Sequence, residues 1–420
     1  MKVVRVKPYQ HTPLEDLRTV FRLHYSGCGV ELDNIRDFPH TGHNSDIKLV
    51  DVVIRDSEIS HSHTVTAIIK TINLTARHRL VGCQLTRFLT REVVFYTKIF
   101  PSILSQNQSR NNKCLTREML KKSFCLDSLK LSELIPKCYF GFSDELSRCR
   151  ERSLPAIILS CLPVFCSAEC AEETGLLVLE DLTRRPGKVI SSLERESLMD
   201  FHHVKTSFNS LAHFHGGCWR WLMRNRQNSG QISHLHSLHA DSWFIEFCFK
   251  TIFRMMRKML RTFLENRKEN CHFISRFDNF MKNEIFNVMK VMWSNKSPSK
   301  FDTIIHGSFW SSNILFQYPD QGRGQLPQKA LFVDFQQIGL GNPCRDILSL
   351  LYTNTSASFR NKYMDILVQN YFATFQEYFQ GFFPVSQSNY QEFEKNIEES
   401  RTFGLAWGLY MICVGKISFG

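Results

Sequence analysis

The stretch His306-Gly307-Ser308-Phe309-Trp310-Ser311-Ser312-Asn313-Ile314-Leu315-Phe316 decides how this chain is read. It follows the β-branched run Thr303-Ile304-Ile305 and leads into apolar Ile314-Leu315-Phe316, so a polar loop is predicted between two short strands. Asn313, at its end, offers a side-chain amide oxygen, a hard donor of the kind Mg²⁺ prefers. Twenty-one positions further on, Leu331-Phe332-Val333-Asp334-Phe335-Gln336 places a carboxylate just past another apolar strand. An Asn and an Asp on successive loops, both at strand ends, form a candidate clamp for a magnesium-bound nucleotide. The alternative is that both close turns, as these residues often do.

Phosphoryl transfer needs cations on the phosphates, metal ligands and a group that orients the acceptor hydroxyl, with little covalent help from the protein. Upstream, Lys70 sits in Ala67-Ile68-Ile69-Lys70, part of the β-branched run Thr64–Ile72. A lysine there must leave the apolar face or be paired, because an unpaired buried charge is costly. Glu92 follows in a predicted helix over Thr86–Ile99 that Pro101 is expected to end. The pair reads as a phosphate-directed Lys–Glu couple, or as an edge-strand lysine facing water beside an exposed glutamate.

Val50–Arg55, Ala156–Leu162 and Gly175–Leu179 are further predicted strands. From about Glu194 the chain turns helical, broken by short β pieces over Phe301–Phe335. A β-rich portion followed by a helical remainder with an inserted hairpin predicts an α+β, two-lobed arrangement, with residues 1–180 and 181–420 as its parts. The predicted junction lies at Glu180–Lys188, where Leu-Glu-Asp-Leu-Thr-Arg-Arg-Pro-Gly-Lys leaves a strand.

Composition is ordinary for a globular chain of 420 residues: 43% hydrophobic, 22% charged, with 35 Phe for bulky packing. Met1-Lys2-Val3-Val4-Arg5-Val6-Lys7-Pro8 has no apolar run behind its charges and does not read as a secretory signal. No uninterrupted apolar run reaches the roughly 18 residues of a membrane span. The 14 Cys form no CxxC pair, and Cys161, Cys166 and Cys170 lack zinc-site spacing. A cytoplasmic location with reduced thiols is the expectation. The net charge of +12 is spread along the chain without a finger or an RNP-type strand, so nucleic acid is not the expected partner. His61, His63, His202, His203, His213, His215, His234, His236 and His239 include close pairs but no HExxH, and no histidine metal site is expected. Ser308 lacks the Gly-x-Ser-x-Gly elbow of a hydrolase nucleophile.

The order of Lys70, Glu92, Leu179-Glu180-Asp181-Leu182, Leu211-Ala212-His213-Phe214-His215, the His306 block and Val333-Asp334-Phe335-Gln336 resembles the insect ecdysteroid kinase-like family, also called CHK kinase-like and related to choline and aminoglycoside kinases. The resemblance covers roughly residues 30–415. It implies a protein-kinase-like fold with a small β-rich N-lobe and a large helical C-lobe. It also implies ATP and Mg²⁺ as cofactors, and a small alcohol, steroid-like among others, as acceptor. Carried over by position, Lys70 contacts phosphates and Glu92 holds it. Glu180, Asp181 and Leu182 form the hinge beside adenine, near 179–183. Asn313 and Asp334 bind Mg²⁺, His306 braces the catalytic loop, and Asp346 is structural. His213 and His215 have packing or loop-bracing roles.

The family's pattern reads His-Gly-Asp-x-Trp-x-x-Asn-x-x-Phe followed by Asp-Phe-Gln, and the chain departs from the family in three features. The catalytic Asp is Ser308, whose hydroxyl has no useful basicity near neutrality. The phosphate-covering loop, Thr41-Gly42-His43-Asn44-Ser45-Asp46, offers only Gly42 for close backbone approach. The chain stops after Gly415-Lys416-Ile417-Ser418-Phe419-Gly420, a segment that resembles the start of the family's last helical region, so a missing or altered C-terminal end is expected. A working small-molecule O-kinase and a pseudokinase that binds without transfer are therefore both carried. A third class rests on Ser242–Lys268, a basic amphipathic helix that fits a membrane surface or partner groove, or simply a helix packing its apolar stripe.

Overall fold

The computed structural model of the chain describes residues 14–25, 28–37, 45–56, 62–72, 88–108, 131–143, 175–193, 198–225, 242–265, 271–285, 287–288, 299–319, 326–384 and 386–417. It is a mixed α+β protein with antiparallel sheets. Two compact units are formed, one from Met1–Pro101 with Pro136–Lys188 and one from Ser102–Ile135 with Val189–Gly420. The expected strand at Ala156–Leu162 and the loop around Gly42 lie outside the described residues.

In the first unit, helix α1 (Leu14–His24) precedes strands β1 (Cys28–Asp37), β2 (Ser45–Asp56), β3 (Ser62–Ile72), β4 (Cys138–Ser143) and β5 (Gly175–Glu180). They form one antiparallel sheet in the order β1-β2-β3-β5-β4. Side chains alternate between faces every residue. Val50, Val52 and Ile54 of β2, Ala67 and Ile69 of β3 and Val178 of β5 therefore share one face, where Leu17 and Phe21 of α1 pack. Ile68 and Lys70 fall on the other face, and the antiparallel register sets Lys70 opposite Leu177.

Helix α2 (Phe88–Val94) carries Glu92. Pro101 does not end the helical path as expected. A π turn spans Phe95–Ile99, with the Phe100 N–H donating to Phe95 O, and α3 continues over Phe100–Gln108. Proline lacks the N–H a helix interior needs. Here it falls two residues after the wide turn, where the α-helical hydrogen-bond register is already interrupted.

The second unit begins its sheet with β6 (Val189–Ser192), which joins the hairpin of β8 (Ile314–Tyr318) and β9 (Lys329–Phe332) in the order β6-β8-β9. β7 (Thr303–Ile305) pairs with β10 (Gly339–Gly341). Around them lie α4 (Phe201–Asn225), α5 (Ser242–Glu265), α6 (Cys271–Asn279), α7 (Cys344–Asn354), α8 (Ala357–Gln376) and α9 (Gln387–Ile417). Helices α4, α7 and α8 bury Phe208, Leu211, Phe214, Ile347, Leu351 and Phe372 with Phe316 and Phe332 of the sheet. On α5, Phe253 and Met256 are buried, whereas Arg254 and Lys258 are exposed. Arg257 and Arg261 bond Asp278 of α6, so these two cations of the amphipathic stretch are held within the unit. No helix among the described residues is long and apolar enough to cross a membrane.

Candidate functional site

In the first unit, Lys70 Nζ donates to Glu92 Oε2 at 2.6 Å, and both side chains are buried. Helix α2 reaches the sheet because Gly141 of β4 leaves room: a Cβ there would stand 2.8 Å from Thr97 Cγ2 and 3.4 Å from Val93 Cγ1. The edge-strand alternative, with both charges in water, does not describe this pair. Two charges removed from water at this separation hold one another in place, and losing either takes from the other the opposite charge that offsets its desolvation.

The proposed hinge residues carry side chains with occupations of their own. Glu180 accepts Arg185 Nε at 2.8 Å and Nη2 at 2.9 Å, together with the Lys137 main-chain N–H at 3.0 Å. Burial disfavours its charge, but these bonds and the two cations outweigh burial and hold its carboxyl below the usual range. Asp181 caps the turn Leu182–Arg184, accepting the Thr183 N–H at 3.0 Å and its hydroxyl at 2.7 Å. Leu182 is buried. The carboxylates are engaged within the unit, and so are the Glu180 and Asp181 N–H groups, which donate to Lys137 O at 2.8 Å and Thr66 O at 3.1 Å.

In the second unit, the loop after β7 hangs from one buried carboxylate. Asp346, on the first turn of α7, accepts the His306 N–H at 2.7 Å and the Gly307 N–H at 2.9 Å. His215 Nε2 of α4 lies 3.1 Å from the same carboxylate, and His215 Nδ1 lies 2.7 Å from the Tyr371 hydroxyl on α8. Burial raises the cost of the Asp346 charge. The His215 bond, the nearby imidazoles and the Gly307 amide more than offset it, so its carboxyl stays below the ordinary range. Gly307 has φ +81°, and a Cβ would lie 2.1 Å from Gln337 O, so only glycine fits there.

His306 is buried against Phe335 and donates Nε2–H to Val333 O at 2.9 Å. That bond leaves Nδ1 as the acceptor, and the Ser308 N–H reaches it at a long 3.4 Å. Burial pushes the imidazole's pKa down, against the pull of Asp346 and the Val333 carbonyl, which keeps the ring neutral. Val333 is thereby held twice, because its N–H also donates to Asn313 O at 3.1 Å.

Asn313 and Asp334 come to the same end of one hairpin, since Ile314 pairs with Phe332 across β8 and β9. Asn313 Nδ2 donates to Ser308 O at 2.8 Å and comes within 3.4 Å of Ser308 Oγ. With its nitrogen so engaged, the amide turns Oδ1 to the opposite branch, the atom a hard cation takes. Asp334 is half-buried and is the non-glycine residue with positive φ among the described residues, at φ 64° and ψ 61°. Aspartate tolerates this left-handed conformation at modest cost. An amide oxygen and a carboxylate held at one hairpin end are the donor set that fits Mg²⁺.

Two supports had no signal in the sequence. Tyr371 completes the chain to His215, and Asn354 pins the far side of the loop by accepting the Ser311 N–H at 3.0 Å while donating to Ser311 Oγ at 2.6 Å. The structure thus joins Lys70 with Glu92, Glu180 through Leu182 along one strand end, and His306, Ser308, Asn313 and Asp334 in one braced loop pair.

The model of the ecdysteroid kinase-like family matches residues 42–381. The chain belongs to the ecdysteroid kinase-like family. No curated protein matches it. Membership makes it kinase-like and, at the family level, a small-molecule phosphotransferase. The match takes in both the Lys70–Glu92 pair and the braced loop, and α9 of this ecdysteroid kinase-like chain lies beyond it.

Proposed function

We propose that this ecdysteroid kinase-like chain binds Mg-ATP and transfers its γ-phosphoryl group to a small molecule, in a two-lobed, protein-kinase-like arrangement. Residues 1–180 serve as the nucleotide-binding lobe, 181–420 as the catalytic lobe, and the main chain near 179–183 as the adenine-facing hinge. The observation that carries this reading is the buried Lys70–Glu92 pair at 2.6 Å, a cation kept in place at the cost of desolvating two charges. Lys70 has the role of neutralising phosphate oxygens. Asn313 and Asp334 would hold Mg²⁺, which when bound supplies charge neutralisation on the phosphates. His306, Gly307 and Asp346 set the loop's backbone and hold no substrate. The family's name points to a steroid-like alcohol as the acceptor class.

Ser308 favours a second reading, a pseudokinase that binds nucleotide without transfer. Its hydroxyl does not accept a proton near neutrality, and positioned acid–base help is worth about 10²–10⁴-fold. Thermal-shift titration with ATP in the presence and absence of Mg²⁺ tests the common core of both readings. Stabilisation that requires the metal and is lost in Lys70→Met is expected. A folded protein whose melting temperature ignores Mg-ATP would end both. Acceptor-dependent ADP release then separates transfer from binding alone.

A further inference from the structure

Resting on the phosphotransferase reading, we infer that Ser308 selects an acceptor whose nucleophilic oxygen is already ionised at neutral pH, a carboxylate or a phosphate monoester, instead of a neutral alcohol. A neutral hydroxyl must shed a proton as it bonds to phosphorus, and some basic atom must take it. The basic atoms of this loop are already engaged. His306 Nδ1 faces the Ser308 N–H while Nε2–H donates to Val333 O. Asp346 Oδ1 and Oδ2 accept the Gly307 and His306 amides and His215. Asp302 lies before β7, at the end of that strand opposite the loop, and one of its oxygens accepts the Ser299 N–H. Asp334 is assigned to the metal.

Hydrogen-bond polarity at position 308 points the same way. An ionised carboxylate there can only accept, which suits an alcohol O–H. Ser308 Oγ lies on the donor side of Asn313 Nδ2 at 3.4 Å, and its carbonyl accepts the same amide at 2.8 Å. The hydroxyl hydrogen is therefore directed away from Asn313 and is available to an oxyanion. A serine also removes one negative charge from the place an anionic acceptor would approach, where like charges within several ångströms repel strongly.

The step then balances without a base. The ionised acceptor oxygen forms a bond to the γ-phosphorus, and the bond from that phosphorus to the β,γ-bridging oxygen breaks. ADP leaves with the electron pair, and no proton moves. The products are an acyl phosphate or a phosphoanhydride together with ADP.

Full-length protein with Mg-ATP is offered matched pairs of one skeleton: cyclohexanecarboxylate against cyclohexylmethanol, 5β-cholanate against 5β-cholan-24-ol, and cyclohexyl phosphate against cyclohexanol. Calorimetry reads acceptor binding in the presence of a non-hydrolysable ATP analogue, and ADP release with trapping of acyl phosphate by hydroxylamine reads transfer. Wild type is expected to favour the anion of at least one pair by tenfold or more in both readouts. Ser308→Asp should weaken binding of that anion by about tenfold or more and reverse the preference, whereas Ser308→Asn, neutral but similar in size to aspartate, should keep it. If Ser308→Asp does not fold, Ser308→Ala decides instead, retaining the charge preference while losing part of the anion's affinity. Equal or better use of the neutral partners by wild type, or use of neither while Mg-ATP still shifts the melting temperature, overturns the inference and leaves nucleotide binding standing. Absence of the Mg-ATP shift overturns it together with the reading beneath it.

Discussion

Asp346 Oδ2 lies 3.1 Å from His215 Nε2, with neither side chain exposed to solvent. One carboxylate thus ties α4 and α7 to the main chain of His306 and Gly307, and both of its oxygens are used. In Asp346→Asn one oxygen becomes an NH₂ that must face N–H donors. The substitution should destabilise the protein by about 3 kcal/mol. The urea midpoint, at an unchanged slope, measures it.

His306 sets the mild-acid limb of stability. Burial holds its folded pKa below the ordinary 6.5, so between that value and the lower folded one the unfolded chain binds the extra proton. Stability must therefore fall as pH drops below about 6.5, with a slope from this one group of at most about 1.4 kcal/mol per pH unit. Asp346, whose folded pKa is also depressed, contributes stability that is complete above its ordinary 3.8 and lost only as pH falls below it. His306→Gln keeps a donor for Val333 O and cannot charge. Urea melts between pH 7 and 5 should show a shallower loss in the variant than in wild type, with the steep loss below pH 4 common to both. Equal slopes across pH 5–7 would remove His306 from this role.

The loop was legible because its ends are apolar triplets: Thr303-Ile304-Ile305 and Ile314-Leu315-Phe316 declare strands, and polar residues between them declare a connection. Lys70 was legible for a related reason, since strand alternation allows it one face or the other and its neighbours claim the first. Strands β1 and β6 were not, because mostly exposed side chains in Cys28–Asp37 and Val189–Ser192 carry little pattern and their pairing is imposed by β2 and β8. The π turn before Pro101 was hidden too, as nothing local marks a one-residue change of helical register. Tyr371 meets His215 from 156 residues away and Asn354 meets Ser311 from 43, contacts that only the folded chain creates.

The Lys70–Glu92 pair separates stability from ligand binding. Glu92→Ala leaves Lys70 desolvated and should cost about 3–5 kcal/mol, read from the urea midpoint. The double variant Lys70→Met/Glu92→Leu replaces the pair with apolar groups of similar bulk and should recover most of that loss. It should nevertheless show no Mg-ATP thermal shift, because the phosphate-directed cation is gone. Recovery of both stability and the shift would assign the pair to the core alone.

Asp334 offers the reverse dissection, since its backbone is strained where its carboxylate is proposed to act. At φ 64° a non-glycine residue bears a cost of about 1 kcal/mol or more, which glycine relieves, while glycine's greater freedom in the unfolded chain takes back a similar amount. Asp334→Gly should therefore melt within about 1 kcal/mol of wild type without ligand, yet lose the Mg²⁺-dependent part of the ATP shift. Asp334→Asn keeps the strain and an amide oxygen but loses the charge, and should show a weakened dependence that higher Mg²⁺ restores in part. A full Mg²⁺ dependence in Asp334→Gly would move the metal away from Asp334, and the hairpin end would then serve only to close β8 and β9.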